Sequence, residues 1–229
     1  MGGQACVFYG AAQVSKNVDF LLLADEQNFD CLKRGLSALK AKRIAVPRFE
    51  PAILARGHAV HFRCQAPGVE GLRIDIMTKL RGMPDFSLLW ERRTVIGDEN
   101  GNRFNLLSVP DLVGAKKTQR AKDWPMIEAL VAIHYQENAE QSSPEWIRFW
   151  LMECRSAEIL LDLTERFPAE TATLLETRPL LHHAATHELP ALREALDAEV
   201  RAEQEKDRIY WEPLKRELAA FRQAEREKA

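Results

Sequence analysis

Two glycines, an amide and two carboxylates are the residues of this chain best suited to chemistry on phosphate. The chain opens Met-Gly2-Gly3-Gln-Ala-Cys-Val-Phe-Tyr-Gly and passes through a polar turn to Asn17-Val18-Asp19 and the apolar run Phe-Leu-Leu-Leu. Paired glycines let a backbone approach a ligand closely, and free N–H groups at a helix start favour phosphate oxygens. Asp19, at the lip of an apolar strand, is placed to hold a divalent cation bound to those same oxygens. A second carboxylate interrupts a later apolar strand, Leu72-Arg-Ile-Asp75-Ile-Met77. A carboxylate in an apolar strand is costly unless it is paired or ligates a cation. If the two strands are neighbours, Asp19 and Asp75 converge on one point. A magnesium ion there bridges triphosphate oxygens and steadies an in-line displacement. This is the layout of a phosphoryl- or nucleotidyl-transfer site.

The elements that must hold these residues follow from periodicity. Residues 3–12 are small and apolar and predict a short helix, followed by a turn at Gln13–Lys16. Val18–Leu23 predict a buried strand. Asp25 predicts an N-cap for a helix to about Lys40, with Phe29, Leu32, Leu36 and Leu39 at helical spacing. Further strands are expected at Arg43–Val46, His58–Cys64 and Leu72–Met77, and a helical turn at Pro51–Arg56. Pro84–Trp90 predict a short helix, and Thr94–Ile96 with Phe104–Leu107 a hairpin around Gly97-Asp-Glu-Asn-Gly101. Ser108-Val-Pro-Asp marks a helix start, and Leu112–Lys122 predict a helix carrying Lys116, Lys117, Arg120 and Lys122. A second helix is expected over Pro125–Tyr135. The polar stretch Glu-Asn-Ala-Glu-Gln-Ser-Ser-Pro after Gln136 reads as a linker. Beyond it every segment reads as helix: about 145–166, 168–176, 179–186, 190–206 and 209–228. The last of these alternates Glu, Lys and Arg as a solvated helix does. The expected organisation is a domain over 1–137, a linker over 138–144 and a helical domain over 145–229.

Composition bounds the class. With 229 residues the chain is long enough to bury a sizeable core, and 46% hydrophobic with 29% charged residues is ordinary for a globular protein. A net charge of −2 argues against a strongly electrostatic nucleic-acid binder. Cys6, Cys31, Cys64 and Cys154 lie far apart with no Cys-x-x-Cys pair, the pattern of reduced thiols in a cytoplasmic protein. No run is long and apolar enough to span a bilayer, and the opening residues carry no secretory or myristoylation signal.

Taken in order, Gly2-Gly3, a short helix, Asn17-x-Asp19 and the strand Arg73-Ile-Asp75 resemble the nucleotidyltransferase superfamily with the polymerase-beta-type fold. Within it they are most similar to the small stand-alone bacterial branch related to abortive-infection toxins. That signature runs Gly-Gly or Gly-Ser, then Asp-x-Asp after a spacer, then a third Asp on a later strand. The resemblance extends to Pro110-Asp-Leu-Val-Gly-Ala-Lys-Lys-Thr-Gln-Arg120-Ala-Lys-Asp123, like the family's helix whose basic residues face the nucleotide, and covers about residues 1–137. It implies an α/β (α+β) fold with a small mixed sheet flanked by helices, followed by an all-helical region. It implies that Gly2 and Gly3 hold the triphosphate and that Asp19 and Asp75 ligate Mg2+ (or Mn2+), with Asn17 as a residual ligand. Lys116, Lys117 and Arg120 would counter phosphate charge, and Asp75 would also orient or deprotonate an acceptor hydroxyl. Asp123 is expected to pair with a nearby base and fix its helix. Asn17 stands where the family has its first Asp, and an amide is a weaker magnesium ligand than a carboxylate. The helix that precedes Gly-Gly in the family is expected either to be absent or to lie in a segment upstream of Met1.

The expected activity is transfer of a nucleoside monophosphate from a nucleoside triphosphate to a hydroxyl acceptor, which is a small molecule, a protein side chain or an RNA end. The resemblance implies that the helical half carries acceptor specificity, and a protein partner or a second copy of the chain is the other expected occupant of that half. The alternative is a weakened nucleotide-binding or protein-interaction module, a toxin–antitoxin-like component. Other polar residues read as structural. His58 and His61 fall on opposite faces of one strand, and His183 and His187 share a helix face without a third ligand. Trp146 and Trp150 are spaced for core packing, and Cys6 has no histidine partner to make it a nucleophile.

Overall fold

The computed structural model describes residues 1–227, so residue 228, the expected end of the last helix, lies outside the described residues. The protein is a mixed α+β chain with a small sheet, many helices and a long C-terminal helix. Its contacts divide it into two units. The first holds Met1–Phe8, Ala12–Ala115 and the chain from Arg208 onward, and the second holds Tyr9–Ala11 and Lys116–Asp207. The expected linker at 138–144 is not a boundary. A helix runs over Trp124–Asn138, a 3-10 turn takes Ala139–Gln141, and the next helix opens at Pro144, all within the second unit.

In the first unit, helix α1 (Gly2–Phe8) leads to strand β1 (Asn17–Leu21) and helix α2 (Glu26–Ala38). Strand β2 is only Lys42–Arg43, where Arg43–Val46 was expected. Helix α3 (Pro51–Ala55), strand β3 (Val60–Arg63) and strand β4 (Arg73–Met77) follow. The sheet order is β1-β4-β3-β2, with β1 parallel to β4 and the other two pairs antiparallel. Helix α4 (Phe86–Glu91), the hairpin β5 (Thr94–Gly97) and β6 (Arg103–Leu106), and helix α5 (Val109–Lys116) complete the main run of the unit.

Alternation along the strands makes the sheet two-faced. Val60, Phe62, Ile74 and Ile76 are buried with Phe29 and Leu36 of α2 and with Leu54 of α3. The α2 stripe is set by the spacing read above. Its start is fixed by Asp25, whose carboxylate accepts the Asn28 backbone N–H at 2.7 Å. The opposite face of the sheet is left to polar residues, and the candidate site lies there.

The chain from Arg208 onward belongs to helix α11, which runs unbroken over Leu189–Arg226 through Pro213. The two helices expected at 190–206 and 209–228 are thus one, and its last part is not simply solvated. Leu214 is buried. Glu217 meets His58 Nε2 at 2.6 Å and Arg56 at 2.6 Å, and Glu225 accepts from Arg43 at 2.8 Å. The Tyr210 hydroxyl sits where a Cβ on Gly57 would come, at 2.8 Å, so this φ +101° position is closed to side chains on two counts.

The second unit packs helices α6 (Trp124–Asn138), α7 (Pro144–Glu153), α8 (Ala157–Arg166), α9 (Pro168–Leu174) and α10 (Leu181–Ala185) with the early turns of α11. The helix expected over 145–166 is broken at Cys154–Ser156, where Ser156 caps α8 by accepting from Ile159 N. Trp150 is fully buried, as its spacing predicted, and its Nε1 donates to His134 Nδ1 at 2.9 Å. Burial pushes the His134 pKa down, against a weaker upward pull from Glu137. A histidine lowered in the fold stabilises it fully above the unfolded value near 6.5 and loses that contribution as pH falls below it. The urea midpoint is therefore expected to drop between pH 7 and 5.5. In His134→Gln, which keeps an acceptor for Trp150 and cannot titrate, that drop becomes shallower.

Candidate functional site

The polar face of the sheet brings the two expected carboxylates together. Asp19 of β1 and Asp75 of β4 are direct register partners on adjacent parallel strands, so both side chains leave the same face. Asp19 is the middle residue of its strand rather than at its lip. Asn17, two residues earlier and on the same face, joins them. Its Nδ2 donates to Asp19 Oδ1 at 3.1 Å and to Asp75 Oδ2 at 2.8 Å. The amide thus bridges the two carboxylates.

The other oxygen of Asp75 is equally engaged. Asp75 Oδ1 accepts from Arg73 Nε at 2.7 Å and lies 2.7 Å from His61 Nδ1, and Arg73 Nη2 is 3.1 Å from the same imidazole nitrogen. The pairing that produces this is His61 opposite Asp75 across β3–β4, with Arg73 two residues before it on the same face. Asp75 is only 5% exposed. Burial pushes its carboxyl up, but the hydrogen bonds and charges of His61 and Arg73 outweigh that and hold it below the usual carboxylate range. It is an anion at neutral pH, suited to binding a cation.

Gly2 and Gly3 are glycines for a visible reason. A Cβ on Gly2, at φ +66°, would lie 2.0 Å from Asp19 Oδ2, and one on Gly3 would lie 2.7 Å from Ser15 Oγ. The main-chain nitrogen of Met1 donates to the Asp19 carbonyl at 2.9 Å. Met1 and Gly2 are therefore packed onto the Asp19 strand, and at position 2 only a hydrogen fits.

Asp19, Asp75 and Asn17 are hard donors of the kind magnesium and manganese accept. The two carboxylate oxygens facing Asn17 lie 3.1 and 2.8 Å from a single point, the Asn17 nitrogen, and a half-turn of that amide presents oxygen in its place. The donor set fits a divalent ion that takes its remaining ligands from phosphate and water. Among the described residues no group of three or more His, Cys, Asp or Glu side chains is arranged to hold a metal ion.

Lys116, Lys117 and Arg120 belong to a different cluster. Helix α5 stops at Lys116, a 3-10 turn takes Ala121–Asp123, and the expected basic helix through Lys122 does not form. Lys116 pairs with Asp123 at 3.0 Å, Arg120 with the other Asp123 oxygen at 2.7 Å, and Lys117 with Glu153 at 2.7 Å, all inside the second unit. Asp123, 1% exposed and also accepting from Thr118 at 2.6 Å, is the base-paired anchor expected of it. The guanidinium groups that share a sheet face with Asp19 and Asp75 are instead those of Arg73 and Arg63, placed opposite each other by the strand register, with the His61 imidazole on the same face. The pattern His61-x-Arg63 and Arg73-x-Asp75, with its period of two, was the available signal.

Beside Asp19 a cleft of about 1000 Å³ runs along β1 towards α4 and β6. Phe20, Leu23, Trp90 and Phe104 line it and are all partly exposed. Phe86 stacks on Trp90 at 5.6 Å, and the Arg93 guanidinium lies 4.0 Å over the Trp90 ring. Planar groups are well received by such a wall. His183 and His187, by contrast, pair separately with Glu188 and Glu165.

No protein-family model matches the chain, and neither the curated proteins nor the solved structures include a match. No helix among the described residues is long and apolar enough to cross a membrane.

Proposed function

We propose that the polar face of the sheet binds a nucleoside triphosphate with a divalent metal and transfers the nucleoside monophosphate to a hydroxyl. The observation that carries this reading is the register of Asp19 against Asp75 on adjacent parallel strands, with Asn17 bridging both. Asp19, Asp75 and the Asn17 amide oxygen would hold Mg2+ or Mn2+, which supplies charge neutralisation and alignment of the phosphates. Gly2 keeps the space beside Asp19 clear of a side chain. Arg73 and Arg63 offer guanidinium groups to phosphate oxygens. The acceptor oxygen bonds to the α-phosphorus, the bond to the bridging oxygen of pyrophosphate breaks, and the acceptor proton leaves to water. The aromatic cleft beside Asp19 would receive a planar or apolar part of one substrate.

A second reading, a nucleotide-binding module with little turnover, is favoured by one observation. Asn17 presents nitrogen, not oxygen, to both carboxylates. Position 17 separates the two readings. Asn17→Asp adds a hard anionic ligand and is expected to raise magnesium-dependent pyrophosphate release by about tenfold or more, as the addition of a first ligand does where outer-shell changes alone are worth 10–100-fold. Binding without turnover in both forms supports the module. An absence of magnesium-dependent binding in both forms removes the metal-site reading.

A further inference from the structure

We propose that Arg73 is a built-in counter-cation that has to release Asp75 before a divalent metal loads, so that metal and triphosphate enter the site together. The inference rests on the metal–nucleotide reading of the sheet face. Asp75 accepts Arg73 on one oxygen, which also lies against His61 Nδ1, and Asn17 on the other, so in this state its charge is shared with a guanidinium and both oxygens are engaged. A divalent ion at Asp75 meets a carboxylate shared with a guanidinium, and the two cations repel each other across it. With metal alone Arg73 has only water to take in exchange for Asp75. A triphosphate does, because the guanidinium fork matches phosphate oxygens as well as it matches a carboxylate.

Arg73 is built to make that move. It is the first residue of β4, so its side chain leaves the end of the strand, and that side chain is 43% exposed while that of Asp75 is 7% exposed. Arg63 stands opposite it in the register, so a second cation already favours arrival of an anion at this end of the face. Asn17 makes the matching change at the other oxygen by turning its amide. Arg73 is in this account a positioning residue that couples two ligands, and coupling of this kind is reciprocal.

The test is Mn2+ binding to the full chain, read from the electron paramagnetic resonance signal of the free aquo ion. It is run with Mn2+ alone and with added tripolyphosphate, against a protein-free blank. In wild type, tripolyphosphate is expected to tighten Mn2+ binding by about tenfold or more, within the usual range of coupling. In Arg73→Gln, Mn2+ alone is expected to bind about tenfold tighter than in wild type, and the coupling falls towards one. Arg73→Met gives the same result if the glutamine variant does not fold, and Arg73→Lys keeps the charge and stays near wild type. If wild type binds Mn2+ and the Arg73→Gln affinity is unchanged or weaker, the counter-cation role is wrong while the metal site stands. If no form binds Mn2+ with or without tripolyphosphate, both the role and the metal site are wrong.

Discussion

Asp75→Ala is expected to weaken magnesium-dependent nucleotide binding by about a hundredfold or more, beyond the 10–100-fold that outer-shell residues of a metal site are worth. Asn17, His61 and Arg73 all engage the carboxylate, and it faces Asp19 across a parallel strand pair. Its removal takes a partner from Asn17, from the His61 imidazole and from the Arg73 guanidinium. Arg73 is 43% exposed and can turn to water, so the cost to the fold is moderate, about 1–3 kcal/mol, the usual penalty for an orphaned buried hydrogen-bonding group. Isothermal titration gives the first quantity and urea denaturation the second. Loss of binding with a small loss of stability marks Asp75 as a ligand. A large loss of stability with binding intact in the folded fraction marks it as structural.

Arg178→Met is expected to be the most destabilising single change in the helical unit, at about 3–5 kcal/mol by analogy with breaking a buried ion pair. Arg178 is 2% exposed. Its guanidinium donates to the Leu151 carbonyl at 2.7 Å and the Cys154 carbonyl at 2.9 Å, which closes the C-terminal end of α7, and to Glu199 of α11 at 2.9 Å. Methionine fills much of the same volume and satisfies none of these acceptors. Glu199 retains Arg155 at 2.5 Å, so the carboxylate is not wholly stranded, while the two carbonyls are. A urea midpoint shift corresponding to less than about 1 kcal/mol would show that water replaces the guanidinium at that helix end.

The parts of the fold that could be read from the sequence are those set by local rules. The α2 stripe, its Asp25 cap and the hairpin turn at Asp98 each depend on residues within a few positions of one another. Asp19 and Asp75 were legible for the same reason, since a carboxylate breaks the apolar run in each strand. His61 was not, because its role depends on which strand lies beside β4, and nothing local to β3 states that. It read as a packing or surface residue, and it lies against Asp75. The basic run from Lys116 to Lys122 misled in the opposite direction. Its charges suggested one helix face, but Asp123 draws Lys116 and Arg120 to itself and the chain breaks between them. The last helix shows the same limit. Its charge pattern is that of a solvated surface, and its capture by Arg43, Arg56 and His58 is set by pairings more than a hundred residues apart in sequence.

The most direct test of the central claim is isothermal titration of the full chain with ATP, GTP, CTP and UTP, with magnesium and again with magnesium removed by EDTA. The account predicts that at least one nucleotide binds with magnesium, that EDTA abolishes the binding, and that Asp75→Ala does the same. No binding of any of the four in the presence of magnesium would contradict it, and the bridged carboxylates of Asp19 and Asp75 would then stand as a structural pairing of the sheet.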